Sequence, residues 1–184
     1  PGVQFDGGST RTYACSAELS GAPGQVQIDG IGTICHEFSH VLGMVDEYDT
    51  DYQGTGGEAD HPNTWSLMSM GCYLNHGRTP VGYSAYERIQ AGFLDPEVIQ
   101  QSGVYSLQPF ETTGNALRIN SIVGDEFFIL ENRQPEKWDK ALPGHGMLVY
   151  RVDRTDPELW STNRVNRDPS HPCYALLSAQ PQFG

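Results

Sequence analysis

Apolar positions along the chain change their period twice. From Ile31 they fall at i, i+3, i+4, i+7, i+10 and i+11 (Ile31, Ile34, Cys35, Phe38, Val41 and Leu42), the spacing of one buried stripe on a helix. Asp29 reads as the N-cap, and Gly43 stands where a left-handed residue would end the helix, so a helix is expected over residues 31–43. Residues 1–30 before it are Gly- and Ser-rich, with one β-like run around Thr12–Cys15. Residues 44–64 after it read as a polar loop, and loops of that length inside a domain usually carry function. Trp65–Gly71 is apolar and bounded by Gly. Ser84-Ala85-Tyr86-Glu87 is a capping box that opens a second helix through about Leu94, before Pro96. The period then turns to strands. Val104–Leu107, Ala116–Val123, Glu126–Glu131 and Met147–Val152 are short runs rich in β-branched and aromatic residues, and Gly124-Asp125 predicts a hairpin turn of type II′. Helices followed by antiparallel strands give an α+β class.

Composition narrows the function classes. The chain has 184 residues, enough for one domain with a real core, and a formal net charge of −12. That charge, with no Lys/Arg-rich run, excludes a phosphate-tracking nucleic-acid binder. Hydrophobic residues at 38% against 18% charged exclude a disordered acidic chain. No apolar stretch approaches the ~20 residues that span a bilayer. Pro1 opens the chain without a Met or an apolar leader, and both ends read as cuts through a longer protein. Cys15, Cys35, Cys72 and Cys173 allow three connectivities if all pair, none has C-x-x-C spacing, and buried free thiols are an equal alternative to disulfides.

The helix at 31–43 carries the chemistry. His36-Glu37-Phe38-Ser39-His40 is H-E-x-x-H, which stacks two imidazoles on one helix face, within reach of a single Zn²⁺. Glu37 lies beside that face, placed to take a proton from water instead of ligating the metal. Two histidines leave a catalytic zinc site one protein ligand short. Gly43 permits a sharp turn, and Asp46 then brings a carboxylate three residues later, with Glu47 and Asp49 as nearby rivals. Met68 is the candidate for a methionine packed beneath the metal after a tight turn, with Met70 behind it. The acidic run 46–51 raises a second metal, calcium, for which Asp49 and Asp51 are the residues to test, although no EF-hand spacing is present.

The run from Gly30 through His36-Glu37-Phe38-Ser39-His40 to Asp49 resembles the active-site segment of the immune inhibitor A family of secreted bacterial metalloproteases. Trp65–Gly71, Gly77–Glu87 and Leu142–Asp153 are similar to further stretches of that family, and the likeness spans roughly residues 12–175. The resemblance implies a zincin or metzincin-like catalytic domain over residues 1–184. Within it 1–30 is an upstream segment and 31–43 the active-site helix; 44–98 holds the ligand loop, Met-turn and second helix, and 99–184 is β-rich. It implies His36, His40 and Asp46 as zinc ligands, Glu37 as the catalytic glutamate and Met68 as the Met-turn. Tyr73, Tyr83 and His145, near family-like turns, are candidates for oxyanion or substrate contacts. Two positions depart from the family pattern: Ser39 stands where Gly is usual, and Val45 where Pro is usual, which loosens the ligand loop. The expected function is a secreted, extracytoplasmic zinc endopeptidase, a monomer acting on protein or peptide substrates. A binding module with a structural zinc, and a zinc hydrolase of a non-peptide substrate, are the alternatives.

Overall fold

A computed structural model describes residues 3–5, 8–10 and 13–179. Two small antiparallel hairpins come first, β1 (Val3–Phe5) with β2 (Gly8–Thr10) and β3 (Leu19–Ser20) with β4 (Gln27–Ile28). Helix α1 (Ile31–Val41) follows, then a long loop with single 3₁₀ turns at Asn63–Trp65 and Met70–Tyr73, then α2 (Ala85–Gln90). The second half holds β5 (Glu97–Val98), the one-turn α3 (Phe110–Thr113), β6 (Ala116–Asn120), β7 (Glu126–Arg133), β8 (Gly146–Asp153), α4 (Pro157–Ser161) and β9 (Tyr174–Leu176). These strands form one sheet in the order β5-β6-β7-β8-β9, antiparallel except for β5 on β6. The class is α+β. Among the described residues no helix is long and apolar enough to cross a membrane.

Helix α1 forms where its periodicity places it, but the expected buried stripe faces outward. Ile34 and Phe38 remain 52% and 53% exposed, and Ile31, Val41 and Leu42 are exposed as well; the buried residues are Gly32, His36 and Ser39. Periodicity tells which residues share a face, and packing decides which face turns inward. Here the small edge is the one that can approach the rest of the chain. The Gly32 N–H donates to the Gly77 carbonyl at 2.8 Å, and a Cβ on Gly32 would overlap the Cys72 carbonyl oxygen. The N-cap is Gly30, with no side-chain cap, and not Asp29, whose N–H bonds the Glu18 carbonyl. The C-terminal expectation holds. Gly43 takes φ +93°, its N–H meets the His40 carbonyl, and the Met44 N–H meets that of Ser39, which is the Schellman pattern.

Helix α2 opens on the expected capping box, with the Ser84 and Glu87 side chains each bonding the other's backbone N–H. It stops at Gln90 and not near Leu94, because Gly92 (φ +73°) closes a second Schellman turn. Three of the four expected strands are present. Val104–Leu107 pairs with nothing, because β5 already occupies the free edge of β6, and Val104 is left exposed. Tyr13–Cys15 is not a strand either, and Thr12 lies outside the described residues. In the turn before β7, Gly124 alone has positive φ, the sign pattern of type II′.

The main core lies between α2 and one face of the sheet: Tyr86 packs on Trp160, Tyr174 and Phe127, and Phe110, Ile129, Tyr150 and Val152 close it. Along β7 the inward residues alternate as Phe127, Ile129, Glu131 and Arg133. The last two are charged and fully buried. Arg133 spans Asp139 with Nε and Nη2, at 2.6 and 2.5 Å, and meets Glu131 at 3.0 Å and the Gly82 carbonyl at 2.9 Å. Glu131 in turn accepts from the Tyr150 hydroxyl and from the first N–H of α2 at Ala85, so the network ties helix to sheet. All four cysteines are free thiols, and Cys72 and Cys173 are buried.

Candidate metal centre

His36 and His40 sit one turn apart on α1 with ring centroids 4.9 Å apart, edge to face. Their outer nitrogens converge: His36 Nε2 lies 3.1 Å and His40 Nε2 3.3 Å from the same Asp46 Oδ1. The inner nitrogens face backbone carbonyls, His36 Nδ1 that of Leu67 at 3.0 Å and His40 Nδ1 that of Met44 at 2.9 Å. A carbonyl only accepts, so each Nδ1 carries the hydrogen and each Nε2 is left with a lone pair for a metal. The Schellman turn at Gly43 folds the chain back and delivers both the Met44 carbonyl and, two residues on, the Asp46 carboxylate. These three donor atoms all lie within 4.8 Å of one another and are the one such group among the described residues.

The protonation behaviour fits a site that gathers a cation. Burial lowers the His36 imidazole, but its bond to Asp46, with help from Cys72 and the Leu67 carbonyl, overrides this and brings it to about 10. His40 is raised, first by its bond to Asp46. Burial works to raise Asp46, yet bonds from His36, His40 and Asn163 hold it well below the ordinary carboxylate range. Without a metal, protons take the place of the cation. The donor set, two imidazoles and one carboxylate oxygen, suits zinc.

Asp46 is gripped from far along the chain. Asn163 Nδ2 donates to Asp46 Oδ2 at 2.7 Å, and the Asp46 N–H donates to Asn163 Oδ1, also at 2.7 Å. Beside it the Asn166 amide donates to the Glu47 carbonyl at 2.8 Å. Below the loop, Ser66–Ser69 form a turn closed by the Ser69 N–H on the Ser66 carbonyl. Met68 in that turn is fully buried; its carbonyl takes the Glu47 N–H, and its N–H bonds Glu87.

A cleft of about 120 Å³ beside the histidines is lined by His36, Glu37, Tyr48, Tyr52, Tyr73 and Cys72 among others. Glu37 therefore faces the same space as His36, while His40 does not line it. Of the expected oxyanion candidates, only Tyr73 lines this cleft. Tyr83 is used elsewhere: its hydroxyl lies 2.5 Å from Ser39 Oγ, which itself donates to the Cys35 carbonyl. Tyr83 borders a different cavity, of about 420 Å³, with Cys35, Leu67 and Trp138. His145 is exposed in the turn before β8 and does not line the cleft. The calcium expectation gains no support. Both Asp49 oxygens accept backbone N–H groups, from Asp51, Tyr52 and Ala59, and Asp51 accepts the Thr55 hydroxyl at 2.5 Å. Sequence reading missed Tyr48, which stacks on His36 at 6.5 Å, and Tyr52. Their place two and six residues past Asp46 was the available signal. It missed Asn163 for want of any local signal.

Paired helical histidines, an intervening glutamate and a carboxylate carried back past a glycine bend follow the H-E-x-x-H pattern of metallopeptidase helices. Comparison with known proteins agrees. Residues 17–93 match the family described as immune inhibitor A peptidase M6, catalytic domain. Similar proteins include the pre-pro-metalloprotease PrtV of Vibrio cholerae serotype O1, 39% identical over 64 residues, which is 33% of this chain and 7% of that protein. Immune inhibitor A of Bacillus thuringiensis subsp. alesti is 43% identical over 56 residues, 29% of this chain and 8% of that protein. The chain thus aligns to less than a tenth of the length of these relatives. No solved structure matches.

Proposed function

We propose that this chain carries the catalytic centre of a secreted zinc endopeptidase of zincin type, acting on protein or peptide substrates. His36, His40 and Asp46 would hold the zinc, residues 44–98 supply the ligand loop and Met-turn, and the β-rich part from 99 onward supports them. The observation that carries this reading is the convergence of two Nε2 atoms on one Asp46 oxygen while both Nδ1 atoms are anchored to carbonyls. Zinc, when bound, polarises a carbonyl as a Lewis acid and acidifies water. Glu37, facing the cleft, accepts the proton of the attacking water and passes it to the leaving amine. Tyr73 keeps its proton at neutral pH: the neighbouring Cys72 first, then burial and charges including Glu37, raise it, so it is available as a donor at the cleft. Met68 is the buried floor of the turn beneath the ligands. Three protein donors, where structural zinc sites have four, favour catalysis over a binding module.

The test is Glu37→Gln in the full-length protein. Zinc stoichiometry should stay at one, while hydrolysis of casein falls by a factor of about 10² or more, the usual range for a general base. Unchanged proteolysis would remove Glu37 from this role, and a wild-type protein that binds no zinc would remove the metal centre altogether.

A further inference from the structure

Helix α4 ends as α1 and α2 do. The Asn163 N–H reaches the Trp160 carbonyl and the Arg164 N–H that of Leu159, again a Schellman turn, with Asn163 in the left-handed position at φ +57°. Glycine fills that position in α1 and α2, and glycine is the least strained residue there. Asparagine tolerates the position as well, so the turn alone does not choose it over glycine. Its side chain is explained by Asp46: one amide group meets both the backbone N–H and the outer carboxylate oxygen of that residue. The mount is firm. Trp160 is buried and bonds the Asp153 carbonyl, and Asn166 fixes the next residue of the loop, Glu47, while also pairing both ways with the Tyr174 backbone.

We infer that Asn163 is a positioning residue that presents Asp46 to the metal and sets the affinity of the centre. The inference rests on the zinc reading above. Each histidine has its own anchor, the carbonyls of Leu67 and Met44, within the segment matched to the peptidase family. Asp46 takes its side-chain anchor from 117 residues away, outside that segment. With Oδ2 held by the amide, Oδ1 is the oxygen left facing the imidazoles, and the carboxylate cannot swing out of line.

Zinc affinity, measured by chelator competition on the full chain, tests this, with the visible spectrum of the Co²⁺ form as a second readout. Asn163→Gly keeps the left-handed turn and removes the clamp; a loss of about 10- to 100-fold in affinity is expected, the usual cost of removing a residue that orients a ligand. Asn163→Asp retains an acceptor for the Asp46 N–H but sets a carboxylate against Asp46 Oδ2. It should bind zinc at least as poorly and alter the Co²⁺ bands, whereas a merely structural acceptor would leave it like wild type. Wild-type affinity in either folded variant overturns the inference and leaves the zinc reading standing. A wild-type chain that fails to bind one zinc overturns the reading itself.

Discussion

Two clusters in this molecule gather carboxylates around positive charge, and they differ in where the charge comes from. In the sheet, Glu131 and Asp139 close on Arg133, all three fully shielded from water, and the cation is part of the chain. On α1, Asp46 faces two imidazoles that are neutral when unprotonated, so the chain brings no fixed cation and one must come from solution. A closed cluster with its own guanidinium holds helix to sheet. An open one, beside a cleft and short of a charge, fits the metal-binding role proposed above. A third group lies between them in kind. Ser66 Oγ is 2.6 Å from Glu47 and 3.0 Å from Glu87, both fully buried, and one hydroxyl proton cannot serve both. Burial, and for Glu47 the charge of Glu87, raise both carboxyls, and the bonding pattern makes sense with Glu47 protonated toward Ser66, Ser66 donating to Glu87, and Glu87 also taking the Met68 and Ser84 N–H groups. Here a proton does what arginine does in the sheet.

The sharpest break of the comparison removes the built-in cation. Arg133→Met leaves two buried carboxylates without their partner and strips the Gly82 carbonyl of its donor. Urea denaturation should show a loss of about 3–5 kcal/mol, the range for breaking a buried ion pair from one side. Zinc affinity of the molecules that remain folded should not change. A variant of wild-type stability would mean that the network is incidental.

The contrast also explains what could be read from the chain in advance. The H-E-x-x-H helix, the glycine that ends it and the Ser84 capping box are local, each set by residues three or four apart, and all were legible. Strand β7 was legible by composition, but its inward face was not. Glu131 and Arg133 look like surface charges until Asp139, Tyr150 and Ala85 are seen around them. The apolar edge of α1 was seen and turned the wrong way, because the inward face is set by glycine contacts with residues 72 and 77 that no periodicity encodes. Asn163 is the extreme case, a contact to the Asp46 loop whose two partners are 117 residues apart.

A smaller effect is expected from the proton-sharing pair. A carboxyl raised in the folded state contributes stability below its unfolded pKa, and that contribution is lost as pH rises through the folded pKa. The metal-free chain should therefore lose stability from about pH 5 upward on account of Glu47 and Glu87, by about 1.4 kcal/mol for each unit of elevation. Glu47→Gln cannot ionise, yet keeps a polar group toward Ser66 and Gln90. Its unfolding free energy, followed by denaturant titration across that range, should fall less steeply than wild type, with the two curves meeting at acid pH. An equal slope would mean that the pair carries two charges after all.

The smallest change separates the two edges of α1. His36 and His40 face Asp46, while Ser39 on the neighbouring edge is fully buried and meets the Tyr83 hydroxyl. Ser39 retains its bond to the Cys35 carbonyl whatever happens at Tyr83. Tyr83→Phe thus removes one hydrogen bond and leaves no buried donor stranded, a cost of about 0.5–1.5 kcal/mol in thermal or chemical unfolding. If Tyr83 only braces the helix, casein hydrolysis per folded molecule stays at the wild-type rate. A drop of tenfold or more in kcat without that loss of stability would instead return Tyr83 to the reaction and mean that the helix presents chemistry on both edges.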